Sequence, residues 1–91
     1  MPRRTPQPED ILLVAEVADT SLSYDRQTKG PLYARHGIQE LWIVDLNRNL
    51  VTRYLDPTSE GYRTTRVYRR RESLSPLAFP DVLIPVAEIL S

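Results

Sequence analysis

Between Ile11 and Val17 the chain reads ILLVAEV, an aliphatic run interrupted by one carboxylate, Glu16. A run this short and apolar, bounded by polar residues, predicts a strand. An acid inside such a run needs a partner, because an unpaired carboxylate is costly to remove from water. Period two places Asp10, Leu12, Val14, Glu16 and Ala18 on one face, and Ile11, Leu13, Ala15 and Val17 on the other. Both faces are apolar apart from the acids, which predicts a strand covered on both sides. What faces Glu16 then decides whether this acid is structural or chemical.

The rest of the chain supplies the elements that this strand must pack against. Residues 1–9 carry three prolines and no apolar periodicity, so they are expected to form a flexible arm, with one domain over 10–91. DTSLS reads as a loop with Ser21 or Ser23 as N-cap. YDRQTKGPLYARHG follows as a helix closing on Gly37. Gly30 and Pro31 predict a kink or a loosened first turn, because Pro31 has no N–H for the carbonyl of Gln27.

ELWIVDL is a second apolar strand, NRN a hairpin turn and LVTRYL the return strand. DPTSEG reads as a further turn. YRTTRVY reads as a third alternating run, with Tyr62, Thr64, Arg66 and Tyr68 on one side. SPLAFPDVLIP is a proline-punctuated edge segment and VAEILS a closing helical turn. The order β-α-β-β-β plus a short C-terminal turn predicts a mixed α/β (α+β) domain with one main helix and a largely antiparallel sheet.

Composition narrows the chemistry. The chain has 91 residues and no cysteine, which excludes disulfides, thiolate zinc sites and a cysteine nucleophile. No apolar h-region follows the basic start, and no apolar run is long enough to span a bilayer, so a soluble cytoplasmic protein is expected. Twelve basic and twelve acidic residues cancel, but unevenly: five against seven up to Asp45, then seven against five from Leu46. The basic half contains Arg63, Arg66, Arg69, Arg70 and Arg71. Such a cluster contacts phosphates in some proteins; in a neutral protein it is more often a solvated strand edge.

Lys29 lies thirteen residues beyond Glu16, in the helix that folds back beside the strand end. A carboxylate there suits a hard cation such as Mg²⁺, and a neighbouring ammonium suits orienting water or stabilising charge on an attacked phosphate. The structural alternative is equally simple: Lys29 neutralises Glu16, or Asp25 and Lys29 form an exposed i,i+4 pair. Asp25, Lys29 and Tyr33 recur every four residues and share one helix face. His36, the only histidine, reads as a helix-end residue. Trp42 reads as core and Asp45 as a turn cap.

VAEV, the Asp25–Lys29–Tyr33 helix, HGIQELWIVD and the closing LAFPDVLIPVAEIL, in this order and spacing, resemble the Uma-two family of restriction-endonuclease-like proteins in the PD-(D/E)XK nuclease superfamily. The resemblance covers nearly the whole chain after residue 7. It implies a nuclease core in which a sheet holds Mg²⁺ or Mn²⁺ between an upstream aspartate and a strand glutamate, with DNA as substrate. By resemblance Glu16 matches that glutamate and metal ligand. Ala18 stands where the superfamily's simplest pattern has its lysine, and Lys29 matches a lysine displaced into the helix. Asp25 and Tyr33 match residues that recur around it.

Family members carry a long upstream segment with the first metal-binding aspartate, so this chain resembles the C-terminal half of the fold. Asp10 matches an acid preceding the strand, but six residues of extended chain put it about 20 Å from Glu16. Two readings follow: a Mg²⁺-dependent endonuclease, and a catalytically silent nuclease-fold remnant used for oligomerisation. Apolar sheet surface left uncovered by an absent half predicts a homodimer or larger assembly.

Overall fold

The computed structural model describes residues 11–18 and 30–90. The expected arm over 1–9, the caps at Ser21 and Ser23 and the Asp25–Lys29 pair lie outside the described residues. The elements are β1 (Val14–Ala18), helical residues 30–35 (α1), β2 (Glu40–Asp45), β3 (Leu50–Thr58), β4 (Gly61–Arg69), β5 (Ser73–Leu74), β6 (Ile84–Pro85) and α2 (Val86–Leu90). A four-stranded sheet runs β1-β2-β3-β4, and β5 pairs with β6 separately. β1 and β2 are parallel, while β2–β3 and β3–β4 are antiparallel. This is the expected mixed α+β domain, with a largely antiparallel sheet.

β2 is the centre of the sheet because its sequence is apolar on both faces, and all six residues are buried. Trp42 and Val44 join Val51, Tyr68, Leu74 and Val86 in one cluster, which Leu13, Ile84, Ile89 and Leu90 extend. Leu41 and Ile43 point the other way, among Val14, Tyr33, Tyr54 and Tyr62. Each fully buried aliphatic side chain here contributes about 1.5–3 kcal/mol relative to exposure. The C-terminal segment covers the first face and α1 contributes Tyr33 to the second.

Local chemistry sets the ends. α1 closes in a Schellman arrangement: the Ile38 N–H donates to the Tyr33 carbonyl (3.1 Å) and the Gly37 N–H to the Ala34 carbonyl (2.9 Å). Gly37 has φ 77°, a conformation that a residue without Cβ adopts at little cost. The β2–β3 turn spans 46–49. One carboxylate oxygen of Asp45 accepts the N–H groups of Asn47 and Arg48, each at 3.0 Å, and Asn49 takes φ 56°. The NRN turn and the capping role of Asp45 are therefore as expected.

Three expectations are corrected. DPTSEG is not all turn: β3 continues through Asp56, Pro57 and Thr58, and only Ser59 and Glu60 separate it from β4. Pro57 is tolerated because β2 pairs with β3 only as far as Leu55. Tyr62 and Tyr68 do not share a side, since Tyr68 packs with Trp42 and Tyr62 with Leu41 and Ile43. Asp56, at φ 59°, interrupts the alternation between the Leu55–Thr64 and Pro57–Tyr62 pairs. Finally, among the described residues β1 is covered on one face only. Ala15 and Val17 are exposed, because the cover built from β5, β6 and α2 reaches Leu13 and no further along that strand.

At the start of β2, Glu40 is fully buried and satisfied from three directions. Its Oε2 accepts Trp42 Nε1 (2.8 Å) and Arg53 Nε (2.7 Å), and its Oε1 accepts the Leu77 N–H (2.7 Å). Arg53 in turn donates to the Tyr68 hydroxyl at 3.2 Å. Removing one partner of a buried pair strands the other charge, which typically costs 3–5 kcal/mol. Glu40→Ala is therefore expected to lower unfolding free energy by about 3–5 kcal/mol in urea titrations. Glu40→Leu combined with Arg53→Met should recover part of that loss, because both charges are then gone. A loss below about 1 kcal/mol for Glu40→Ala would contradict a role for the pair in stability.

Candidate active site

β1 and α1 both pack on the Leu41–Ile43 side of β2, and this brings their polar residues together. Glu16 is the register partner of Ile43, so its side chain shares that face. One helical turn ahead of Gly37, Tyr33 reaches across from α1. Its hydroxyl donates to Glu16 Oε1 at 2.5 Å, a short charge-assisted bond. Glu16 is half-buried rather than enclosed. A phenol thus holds one oxygen of a partly accessible carboxylate, and the Tyr33 side chain itself packs against Leu41 and Ile43.

The acid within the aliphatic run, Glu16, thus has Tyr33 as a partner. Of the four residues that the resemblance gathers, Glu16 and Tyr33 are brought together, while Asp25 and Lys29 lie outside the described residues. Trp42 is core and His36 is exposed just past α1, both as expected. Asp45 is buried with its oxygens turned to the 46–49 turn and Arg48. Among the described residues, no group of three or more His, Asp or Glu side chains is arranged to hold a metal ion. No described helix is long and apolar enough to cross a membrane.

Two residues carry roles not read from the sequence: Tyr62 frames the site, and Glu40 lies on the opposite face of β2. Tyr62 donates to the Ile38 carbonyl at 2.6 Å, tying the β4 start to the chain just after α1. Its ring lies 5.9 Å from that of Tyr54 at 47°, a tilted aromatic contact. Burial, and then the neighbouring Tyr33, push the Tyr62 phenol up from 10.0 to about 12. Glu40 is the other omission, and it carried a usable signal. QELW places an acid at the head of an apolar strand, the same anomaly that drew attention to Glu16.

The mixed α+β domain, with a parallel β1–β2 pair in a largely antiparallel sheet, is consistent with a restriction-endonuclease-like fold. Comparison agrees. The model of the Uma2 family, described as "Putative restriction endonuclease", matches residues 2–87. The chain belongs to this family, and its function is nuclease-like at that level. No curated protein matches it.

The raised Tyr62 phenol makes a pH prediction. A group that holds its proton more tightly in the folded state contributes stability that is intact below its unfolded pKa and lost as pH rises through the folded one. Stability linked to Tyr62 should therefore be complete below pH 10.0 and fall between there and about 12. Urea unfolding of wild type and Tyr62→Phe across this window should show a shallower decline in the variant. Identical declines would show that Tyr62 is not held neutral by the fold.

Proposed function

We propose that the chain is a Mg²⁺-dependent (or Mn²⁺-dependent) endonuclease-like hydrolase of DNA phosphodiesters, with Glu16 at its centre. The observation that carries this reading is the bond from Tyr33 to a half-buried strand glutamate, in a chain of a restriction-endonuclease family. A carboxylate oriented by a hydroxyl on a rigid strand is pre-positioned for a task that a freely rotating surface acid performs poorly.

The donor chemistry fits the ion. Mg²⁺ takes oxygen ligands, commonly one or two carboxylates completed by waters and substrate phosphates. Glu16 would hold it, and when bound the ion supplies Lewis-acid polarisation of the phosphodiester. A second acidic ligand has to come from outside the described residues or from a second copy of the chain.

The chain's own residues then divide the work. Tyr33 fixes Glu16 Oε1 and keeps the carboxylate from swinging into solvent. Lys29, one residue before the described part of α1, is proposed to position the attacking water and to offset charge on the attacked phosphate. Asp25, four residues earlier in the sequence, would hold the Lys29 ammonium. Tyr33, Tyr54 and Tyr62 all pack on the Leu41–Ile43 cluster.

The experiment is nicking of supercoiled plasmid with Mg²⁺ or Mn²⁺. Glu16→Ala and Lys29→Ala are expected to lose about 100-fold or more in rate, the scale of one electrostatic group at a reacting centre. Tyr33→Phe, which keeps the ring but drops the hydroxyl, is expected to lose about 10-fold. Folded wild-type protein without nicking, or nicking that Glu16→Ala retains, would favour the silent reading, in which the fold serves assembly rather than catalysis.

A further inference from the structure

Seven arginines lie beyond Leu46, and the fold itself uses two of them. Arg53 is paired with buried Glu40 at 2.7 Å, and Arg48 lies 3.8 Å from Asp45. The other five, Arg63, Arg66, Arg69, Arg70 and Arg71, are all exposed. Among the described residues none of these five stands within ion-pair distance of a carboxylate. The nearby acids are committed elsewhere: Asp56 accepts the Thr64 hydroxyl, and Glu72 accepts the backbone N–H of Arg69. Arg66 lies over the Tyr68 ring at 5.0 Å, which holds its guanidinium against the strand.

Position adds to charge. β4 ends the sheet and pairs only with β3 among the described strands. Its outer edge therefore presents unpaired backbone groups flanked by arginines from both faces. From Arg63 to Arg69, six residues of extended strand span about 20 Å. That equals about six rises of 3.4 Å along a DNA duplex.

We propose that the open edge of β4, with Arg63, Arg66, Arg69, Arg70 and Arg71, is a docking surface for the phosphate backbone of double-stranded DNA. The choice of DNA rests on the nuclease reading above; the surface itself rests on five arginines without ion pairs along an open edge. Guanidinium groups suit this task because they donate paired hydrogen bonds to phosphate oxygens. The contacts are to the backbone, so the surface sets position and affinity without reading sequence.

The test is binding of a fluorescent duplex of about 20 base pairs by anisotropy, with no divalent ion, across a salt series. Wild type should bind with log K falling against log salt at a slope of about −4 to −5, from about 0.9 per phosphate contact. Arg70→Ala with Arg71→Ala lies beyond the strand and should leave folding intact. It should reduce the slope by about 2 and weaken binding about 10-fold or more. Arg63→Ala, Arg66→Ala and Arg69→Ala should add to the loss, and lysine at the same positions should keep the slope. Unchanged slope and affinity in the alanine variants, with native circular dichroism, would overturn the proposal. So would alanine variants that bind DNA normally but self-associate, since the arginines would then be guards against edge pairing. Binding that behaves as proposed while plasmid nicking is absent would sink the catalytic reading and leave this surface standing.

Discussion

The interaction on which the rest of the structure depends is the buried carboxylate of Glu40. It is the only described acid with no exposed surface, and its oxygens collect an indole, a guanidinium and a backbone amide from three separated parts of the chain. Trp42 belongs to β2, Arg53 to β3, and Leu77 to the segment between β5 and β6. One charge therefore locks strand pairing to the placement of the C-terminal cover. Through Arg53 the network reaches Tyr68 on β4. A charge buried this way is tolerable only when its hydrogen bonds are complete, so it specifies one arrangement of these elements rather than merely favouring compaction.

Because Glu40, Trp42 and Val44 occupy one face of β2, Leu41 and Ile43 are left to build the other, where α1 and β1 meet. The two glutamates differ in burial. Glu40 is sealed and paired with Arg53. Glu16 is half-buried, accepts the Tyr33 hydroxyl and lies at the margin of the described sheet. On the proposed reading the first charge serves the fold and the second the chemistry.

Much of this arrangement is legible in the sequence where the signal is local. The apolar ELWIVD run, Gly37 after a helix and Asp45 before NRN each act over a few residues, and each performs the expected role. Glu16 announced itself as an acid in an apolar run, and the same rule applied to QELW would have exposed Glu40. Other features depend on partners distant in the chain. Pro57 reads as a turn residue until β2 is seen to stop pairing at Leu55. Tyr62 and Tyr68 read as one face until Asp56 is seen to break the alternation. The exposure of Ala15 and Val17 depends on how far the C-terminal cover reaches, which no strand pattern encodes. At the site, helical spacing gave Tyr33 a face, but only the β1–β2 register shows that this face meets Glu16.

We propose that half-buried Glu16, rather than buried Glu40 or Asp45, is the chain's metal-binding carboxylate. Paramagnetic broadening of amide resonances by Mn²⁺ on the intact chain tests it most directly. Broadening is expected to centre on Glu16 and Val17 and to vanish in Glu16→Ala, while the Trp42 indole proton, held by Glu40, stays sharp. Broadening centred on Trp42 or on the Asp45 turn, or unchanged in Glu16→Ala, would contradict it.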